Sequence, residues 1–394
     1  MSITECNRLS RRRRGASIRK PDGRTGTVAE AILLVGGKGT RLRPLTVYTP
    51  KPMLQVAGVP FLSHQLVRAR AAGIDRIVFA TAYRPEVFEA YFGDGSDFGL
   101  ELDYVTETEP MGTGGAIRNV ADRLRSAADE PVLIFNGDIL SGVDLVALVD
   151  AHLTRGADVT LHLTRVAKDK LSAFGLVPTD ADGWVTAFRE KPQRVEDIVT
   201  DQINAGCYVF RRSVIDGIPA GRPVSVERET FPGLLAAGAK VLGVVEQSYW
   251  RDLGTPEAFV HGSADLVLGA VDSLAIPATT RPDLADALVL PGADLDVDVK
   301  VGGGSTIGAR AKIASGSEII GSVVGEDAHV EAGAVVRDSI VGRGARVGAG
   351  TVLDGVVIGD GAQVGAGNEL RGGARVWCEV VIGDRAVRFS ADES

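Results

Sequence analysis

The sequence predicts an α/β protein in two parts: a doubly wound, Rossmann-like domain, then a left-handed parallel β-helix. Apolar runs at 31–35 and 131–135, typical of buried parallel strands, alternate with segments of helical spacing and indicate the first part. The second part shows a 17-residue repeat, because an apolar residue followed by glycine recurs at Val324, Val341 and Ile358. Between 158 and 210 strands outnumber helices, which predicts a β-rich lobe or sheet edge beside the first part.

Length and composition exclude several classes of protein. The 394 residues, 45% hydrophobic and 24% charged, are enough for more than one domain core. A net charge of −8 argues against a nucleic-acid partner bound over the whole surface, and no apolar run reaches the length of a membrane span. The three cysteines lie far apart, without a CxxC pair, as is usual in a reducing compartment. We therefore expect a cytoplasmic protein with no membrane partner.

Changes in composition predict the domain limits. Residues 1–27 carry eight arginines and lysines against two acidic residues, with no apolar segment behind them, so we expect a disordered basic extension rather than a secretion signal. The first domain is then expected at 28–270, followed by a linker rich in Ala, Pro and Asp at 271–298. The β-helix is expected at 299–385 and a short tail at 386–394.

The hexapeptide-like spacing of the repeat predicts one strand on each side of a triangular coil. Within each repeat the apolar positions step by six, six and five residues, at 324, 330, 336, 341, 347, 353 and 358, and the pattern continues through 364, 370 and 376. A coil of this kind presents flat faces, and symmetric self-association is the usual outcome for such surfaces. We therefore expect a homo-oligomer formed through the β-helix.

A glycine-rich loop follows the first predicted strand. It contains Gly36, Gly37 and Gly39, then Thr40 and Arg41, with Lys51 ten residues beyond Arg41. Glycines allow positive φ and close approach of a ligand, and exposed backbone N–H groups together with fixed cations favour polyphosphate. The loop is therefore predicted to bind the phosphates of a nucleotide.

Two common phosphate-binding motifs are excluded. Lys38 is followed by glycine and not by the Ser or Thr of a Walker A motif. Leu42 stands where the third glycine of a dinucleotide-binding GxGxxG motif belongs. The loop therefore represents neither a P-loop nor a dehydrogenase fingerprint.

Two acids and a lysine outside the loop are further candidates. Asp138 follows the predicted strand 131–135, and Asp252 follows a strand-like segment and precedes Leu253-Gly254. Two such carboxylates could hold Mg²⁺ together with substrate phosphates; the alternative is that each is a surface turn residue. Lys51 and Lys191 each precede proline, which predicts an extended backbone and a fixed side chain rather than a solvated one.

Several further motifs occur in order along the chain, and together they carry a resemblance to a known family. They are GGKGTRL (36–42), GTGG (112–115), FNGD (135–138), FGLV (174–177), REKP (189–192), INAG (203–206), SVERETFP (225–232) and YWRDLGTPEAF (249–259). In this order they resemble the signature of the sugar-1-phosphate nucleotidyltransferases, from about residue 29 to the end. The resemblance implies transfer of a nucleotidyl group from a nucleoside triphosphate to a sugar 1-phosphate, with release of pyrophosphate.

The resemblance also implies a role for each matching residue. The nucleotide would be bound by Gly36, Gly37, Gly39, Thr40, Arg41, Lys51, Glu109, Gly112 and Gly114. The sugar phosphate would be bound by Gly175, Glu190, Lys191 and Asn204, and Mg²⁺ by Asp138 and Asp252. The charges acting on the reacting phosphates would come from Arg41, Lys51 and Lys191.

The motifs leave more than one possibility open for the base of the nucleotide, for the sugar phosphate and for the activity itself. The motifs are most similar to enzymes of actinobacterial type that transfer GMP from GTP to mannose 1-phosphate. A carboxylate at Glu107 or Glu109 would accept the paired donors of guanine, although both glutamates could be surface charges. Another nucleotide, or another sugar or cyclitol phosphate, would keep every motif. A silent regulatory homologue would lose charged site residues, and an acyltransferase in the β-helix would depend on His329 alone.

Overall fold

The computed structural model describes residues 30–82 and 84–389. The predicted basic extension at 1–27 and residues 390–394 of the predicted tail lie outside the described residues. The chain divides by contact into two compact units. The sheet unit comprises described residues 30–37 and 65–250, and the coil unit comprises 38–64 and 251–389. Each unit is described by itself.

The elements of the first 270 residues follow the predicted alternation of strands and helices. Strands are β1 Glu30–Leu34, β2 Gln55–Val56, β3 Val59–Pro60, β4 Arg76–Thr81, β5 Glu101–Thr106, β6 Pro131–Asn136, β7 Ile139–Ser141, β8 Val159–Arg165, β9 Gly175–Leu176, β10 Arg189–Glu190, β11 Gln202–Arg211, β12 Val241–Val245 and β13 Trp250–Asp252. Helices are α1 Phe61–Ala71, α2 Pro85–Phe92, α3 Gly112–Asn119, α4 Leu145–Arg155, α5 Arg212–Asp216, α6 Phe231–Ala236 and α7 Pro256–Val267. Over the described residues, no helix combines the length and the apolar character needed to cross a bilayer.

The sheet unit is built on one nine-stranded sheet, which confirms the predicted α/β class. Its main path runs β10-β9-β11-β6-β1-β4-β5, and β8 pairs with both β11 and β12. Strands β6, β1, β4 and β5 are mutually parallel, whereas β11 runs antiparallel to β6. The strand-rich region 158–210 therefore continues the same sheet as its antiparallel part.

A charged network holds the amino ends of the parallel strands. Arg76, at the start of β4, donates to Glu30 Oε1 at 2.9 Å and to Asp103 Oδ2 at 2.9 Å. Glu30, at the start of β1, also accepts the backbone N–H groups of Arg125 and Ser126. Glu30 and Arg76 are both buried, so each charge depends on these partners. The network stabilises the amino ends of these strands. The glycine turn, Gly36-Gly37, follows the opposite, carboxyl end of β1.

The coil unit confirms the predicted parallel β-helix. Three parallel sheets contain β14 Ala287–Val289, β15 Asp294–Leu295, β16 Lys300–Gly302, β17 Ser305–Ile307, β18 Lys312–Ile313, β19 Glu318–Ile320, β20 Val323–Val324, β21 His329–Val330, β22 Val335–Arg337, β23 Ile340–Val341, β24 Arg346–Val347, β25 Val352–Asp354, β26 Val357–Ile358, β27 Gln363–Val364, β28 Glu369–Arg371, β29 Arg375–Val376 and β30 Val381–Ile382. All ten apolar positions of the predicted repeat belong to one buried core cluster. The first coil begins at β14, inside the stretch predicted as a linker. The predicted domain limits remain a prediction.

A ladder of serines lies along one corner of the coil. The backbone N–H of Ser322 donates to Ser305 Oγ at 3.0 Å, and that of Ser339 donates to Ser322 Oγ at 3.1 Å. The N–H of Val356 then donates to Ser339 Oγ at 3.0 Å. Each hydroxyl thus satisfies a buried backbone donor one coil further along, which buried polar groups require.

Three histidines are enclosed in the two units. Burial lowers the pKa of His64, His152 and His162 to about 4 in each case. His64 and His152 each have ring nitrogens within hydrogen-bond distance of a hydroxyl group, on Ser273 and Thr160 respectively. All three rings are therefore neutral in the folded protein at neutral pH.

These histidines predict an acid-sensitive fold. The histidines of the unfolded chain take up protons near pH 6.5, whereas the folded rings do so only near pH 4. Their contribution to the free energy of unfolding is therefore fully present above about pH 6.5 and is lost as the pH falls towards 4. At about pH 4, each ring has lowered the free energy of unfolding by roughly 3 kcal/mol relative to its value above pH 6.5. Replacing His152 with Asn, which keeps a polar atom near the position of Nδ1, should flatten the dependence of the unfolding free energy on pH between 5 and 7.

The measurement is urea unfolding at a series of pH values, with His329→Asn on the outward face of the coil as the control. An unchanged slope in the His152 variant would contradict the assignment.

Candidate active site

In the sheet unit, the glycine turn and Asp138 lie at the same edge. Strands β1 and β6 are parallel neighbours, and their carboxyl ends lead into Gly36-Gly37 and into Gly137-Asp138 respectively. The N–H of Gly137 donates to the carbonyl of Leu34 at 2.9 Å. A Cβ at Gly137 would lie 2.7 Å from that carbonyl oxygen, so this close approach requires glycine. The carboxyl ends of parallel strands in such sheets are where ligands bind.

Asn204 lies at the same edge, on the other side of β6. Strand β11 is antiparallel to β6, with Cys207 opposite Phe135, so the residues before Cys207 extend past the carboxyl end of β6. The pairing of β11 with β8 shifts register between Asn204 and Tyr208. Asn204 Nδ2 donates to the hydroxyl of Tyr208 at 2.9 Å, and its Oδ1 accepts the N–H of Gly206 at 3.1 Å. The bulge thus holds the amide in a defined orientation.

Glu190 and Lys191 complete this side of the edge. Glu190 pairs with Gly175 across β10 and β9, and a Cβ at Gly175 would lie 2.7 Å from Glu190 Oε2. Burial raises the pKa of the Glu190 carboxyl, and the charge of Glu227 adds to this. Lys191 Nζ lies 3.8 Å from Glu190 Oε1, with 56% of its side chain exposed. A cation beside a partly desolvated carboxylate and a bulge amide can bind a polyhydroxylated anion.

The predicted extended backbone at Lys191 is wrong. Lys191 has φ of +47°, in the left-handed region, although proline follows it. Its N–H donates to the carbonyl of Phe174 at 3.2 Å, so a contact from a distant part of the chain outweighs the local preference. The side chain of Lys191 is 56% exposed, and its fixed orientation stays a prediction.

The segment predicted to lie beside the base follows β5, the last strand on the other side of the sheet, and contains Gly112 and Gly114. Gly112 has φ of +69°, and a Cβ there would lie 2.6 Å from the carbonyl oxygen of Val224. Gly114 is buried and donates to the same carbonyl at 2.8 Å. Glu107 accepts the N–H of Met111 at 3.1 Å, so it stabilises the turn, while Glu109 is exposed. Of the two glutamates weighed for the base, Glu109 is therefore the one exposed to solvent.

The coil unit contains the second half of the glycine loop. Gly39 has φ of +59°, and a Cβ there would lie 2.9 Å from the Cβ of Lys51 and 3.0 Å from Cγ2 of Thr46. Thr46 Oγ1 donates to the carbonyl of Gly39 at 2.8 Å. Thr40 and Arg41 follow in the short 3₁₀ helix Thr40–Leu42. Only glycine allows this turn to pass so close to Lys51.

Two cations flank Asp252 in the coil unit. Lys51 Nζ lies 3.6 Å from Asp252 Oδ1, and Arg41 Nη2 lies 3.9 Å from Asp252 Oδ2. The side chain of Lys51 is only 10% exposed, whereas that of Arg41 is 66% exposed. Lys51 is therefore held by burial, and Arg41 can extend towards a ligand. A Cβ at Gly254 would lie 2.6 Å from Arg41 Nη2, so glycine leaves room for the guanidinium.

Lys51 also departs from the predicted extended backbone. It opens the 3₁₀ helix Lys51–Met53, and its carbonyl accepts the N–H of Leu54. The prediction of an extended form at Lys51 is therefore wrong. The prediction of a fixed side chain holds at Lys51, for a different reason, namely burial.

The predicted Mg²⁺ ligands are the carboxylates of Asp138 and Asp252. Among the described residues, no group of three or more His, Cys, Asp or Glu side chains could hold a metal ion. Mg²⁺ needs no such group, because it commonly binds one or two carboxylates together with substrate phosphates and water. Asp138 in the sheet unit and Asp252 in the coil unit each carry a partly buried carboxylate, a type of ligand that Mg²⁺ binds.

The predicted site residues divide between the units. The sheet unit holds Gly36, Gly37, Glu109, Gly112, Gly114, Asp138, Gly175, Glu190, Lys191 and Asn204, and the coil unit holds Gly39, Thr40, Arg41, Lys51 and Asp252. Two supporting residues were missed by the sequence reasoning. Tyr208 orients Asn204, and Gln65 donates to the carbonyls of Asn136 and Ile139 on both sides of Asp138. Neither has a sequence signal, since a tyrosine in a strand and a glutamine in a helix are ordinary.

Comparisons with known proteins agree with this geometry. A family model described as nucleotidyl transferase matches residues 30–267, and one described as the GMPPB C-terminal domain matches residues 284–386. Mannose-1-phosphate guanylyltransferase from Mycobacterium tuberculosis is 55% identical over 364 residues, which cover 92% of this chain and 98% of the relative. The catalytic subunit beta of mannose-1-phosphate guanylyltransferase from Drosophila pseudoobscura pseudoobscura is 37% identical over 61% of this chain and 63% of its own. The match to that relative thus spans less than two thirds of its length.

Solved structures show the same relationship for the first part of the chain. The crystal structure of HddC from Yersinia pseudotuberculosis is 25% identical, with a TM-score of 0.51, over 60% of this chain and 98% of that chain. The structure of the same protein complexed with GMP-PN is 26% identical, with a TM-score of 0.50 and the same coverage. Because the nucleotidyl transferase model spans more than half of the sequence and one relative matches nearly all of it, the chain belongs to the nucleotidyl transferase family, whose members typically use a divalent metal.

Proposed function

We propose that this protein is a mannose-1-phosphate guanylyltransferase, which transfers GMP from GTP to mannose 1-phosphate and releases pyrophosphate. The observation that carries the proposal is the row of groups at one edge of the sheet unit. Along the strand order β10-β9-β11-β6-β1, this row consists of Glu190-Lys191, Asn204, Asp138 and Gly36-Gly37. The relative from Mycobacterium tuberculosis, similar over nearly its whole length, carries this name.

The order of strands supports a division of the edge into two halves. The glycine turn after β1 and the segment after β5 suit a nucleotide, because glycines there allow close approach of its phosphates and base. The bulge of β11 and the β9–β10 pair suit the sugar phosphate, with Lys191 for its phosphate and Glu190 and Asn204 for its hydroxyls. Asp138 follows β6, the strand between these halves.

The proposed chemistry is an in-line attack of the sugar-phosphate oxygen on the α-phosphorus of the triphosphate. At about 4 Å, two like charges repel by roughly 4 kcal/mol at an effective dielectric constant of 20, so two anionic substrates need cations between them. Lys51, Arg41 and Lys191 are proposed to supply them and to stabilise the charge that develops on pyrophosphate. The attacking phosphate is already ionised, so no residue needs to act as a general base.

Mg²⁺ is proposed to be held by Asp138 and Asp252, where it would neutralise phosphate charge. In the coil unit, Asp252 lies beside Arg41 and Lys51. The phosphates of a bound triphosphate would attract these two cations, and the Asp252 carboxylate would then be available to hold Mg²⁺.

Guanine is the proposed base. Glu109 is exposed in the loop after β5, and a carboxylate can accept N1–H and N2–H₂ of guanine together, a pair of donors that other bases lack. A related chain, HddC from Yersinia pseudotuberculosis, has been crystallised in complex with GMP-PN. Mannose is proposed from the names of the relatives.

The first prediction concerns substrates. We expect pyrophosphate release with GTP and mannose 1-phosphate to exceed release with every other pair in a panel of four nucleoside triphosphates, dTTP and several sugar and cyclitol 1-phosphates. Preference for UTP or dTTP would refute guanylyl transfer. Preference for a heptose or cyclitol phosphate would refute mannose alone, and no release with any pair would favour a silent homologue.

The second prediction concerns the metal. Asp138→Asn keeps the shape of the side chain but removes a charged oxygen, so kcat should fall roughly 100-fold or more at saturating substrate, and the Mg²⁺ concentration for half activity should rise. Asp122→Asn is the matched control, because its side chain is 94% exposed and pairs only weakly with Arg118. Normal turnover and normal Mg²⁺ dependence in the Asp138 variant, with thermal unfolding unchanged, would rule out the metal assignment.

The third prediction concerns self-association, which we propose to occur through the last coils. Several large apolar side chains between 377 and 389 are exposed, namely Trp377, Val380, Val381 and Phe389. Light scattering of the full-length protein should give at least twice the 41.3 kDa of one chain, and Val381→Asp should reduce that mass. Val297→Asp, at a fully exposed valine before the third coil strand, should not. A single-chain mass for the wild type would exclude the oligomer.

A further inference from the structure

One face of the β-helix in the coil unit is apolar on the outside as well as the inside. In the sheet that starts with β14, the outward residues Val323, Ile340 and Val357 are only 8%, 4% and 2% exposed. Helix α7 packs against this sheet, and Ser263 Oγ lies 3.4 Å from Thr306 Oγ1. The corresponding positions of the next sheet are mostly polar: Lys312, His329, Arg346 and Gln363.

The apolar column ends at an arginine. Arg375 stands in register with Val357, and the step from Ile358 to Val376 is 18 residues instead of 17. Arg375 Nη1 donates to the carbonyl oxygens of Arg41 and Arg43, at 2.8 Å in each case. The last coils of the β-helix thus bond directly to the main chain of the glycine loop.

A second contact lies in the next turn of the same coil. Cys378 Sγ lies 3.6 Å from the carbonyl oxygen of Pro44, a weak hydrogen bond. Leu42, between the two carbonyls bound by Arg375, is fully buried. The segment from Gly39 to Pro44 is therefore held at its start by Thr46 and at its end by residues more than 330 positions away in sequence.

The loop needs an external support of this kind. The side chain of Arg41 is 66% exposed, so packing of that side chain does not fix it. Lys51 differs, because its side chain is 10% exposed and held by its surroundings. A charged, planar donor that binds two carbonyls is well suited to fix a main chain.

We propose that Arg375 is a positioning residue for nucleotidyl transfer: it fixes the main chain at Arg41 and Arg43, and thereby directs the Arg41 guanidinium towards Asp252 and the triphosphate. This inference rests on the proposed function. Arg375 itself touches no reacting group, and the C-terminal coil therefore contributes to the reaction through the position of Arg41.

The first test compares kinetics of three variants of the full-length protein. Arg375→Met removes the donors but keeps most of the stem, and kcat/KM for GTP should fall about 10- to 100-fold, the range expected for misplacement of a reacting group. KM for the sugar phosphate should stay unchanged. Arg375→Lys should recover part of the loss, and Arg337→Met, at a coil arginine that bonds to Glu318, should have no effect.

A double-mutant cycle separates positioning from general stability. If Arg375 acts through Arg41, then Arg375→Met added to Arg41→Met should cost little more activity, whereas its effect should add fully to that of Lys51→Met. Additive losses in both backgrounds, or unchanged kinetics for Arg375→Met, would overturn the inference. If Arg375→Met does not fold, the same cycle is decided with Arg375→Lys.

Hydrogen exchange gives a readout that does not depend on turnover. Amides of Leu42, Arg43 and Leu45, which bond within the loop, should exchange faster in Arg375→Met than in wild type or Arg337→Met. Unchanged exchange would overturn the inference. If the wild type transfers no nucleotide at all, the proposed function fails, and exchange then decides whether Arg375 holds the loop.

Discussion

The parallel pairing of β1 with β6 is the interaction on which the candidate site depends. It sets Leu34 opposite Asn136 and brings the N–H of Gly137 to the carbonyl of Leu34. The glycine turn and Asp138 consequently leave the sheet side by side. Consecutive apolar residues of both strands are buried, so this pair fills both faces of the sheet. The positions of Asn204 and Glu190 follow from strands added beyond β6.

Charge is the second constraint on the site. Substrates of the proposed reaction are strongly anionic, so the site must offer cations without losing stability when it is empty. The protein places an acid beside each cation: Asp252 beside Arg41 and Lys51, and Glu190 beside Lys191. The two cations beside Asp252 differ in exposure. The side chain of Lys51 is buried and held in place, whereas that of Arg41 is mostly exposed and can extend towards a ligand.

The repeat of the β-helix serves more than its own core. Its inward positions stabilise the coil, while one outward column is apolar and covered by α7. Arg375 interrupts that column and bonds to the glycine loop. Residues 65–250 separate the loop from the coil in sequence but not in contact, since residues 38–64 belong to the coil unit. A domain added after the catalytic motifs can thus support one of them.

Local pattern was sufficient for the α/β sheet, the ten-position repeat of the coil and the order of the motifs, because strand and coil periodicities repeat over neighbouring residues. The sequence by itself therefore determined the fold class and the family. Only the tertiary structure decided the left-handed backbone of Lys191, the support of Asn204 by Tyr208 and the bonds from Arg375 to the glycine loop. The first and the last depend on contacts from distant parts of the chain, and the second depends on the bulge within β11, so local sequence preference predicts none of the three.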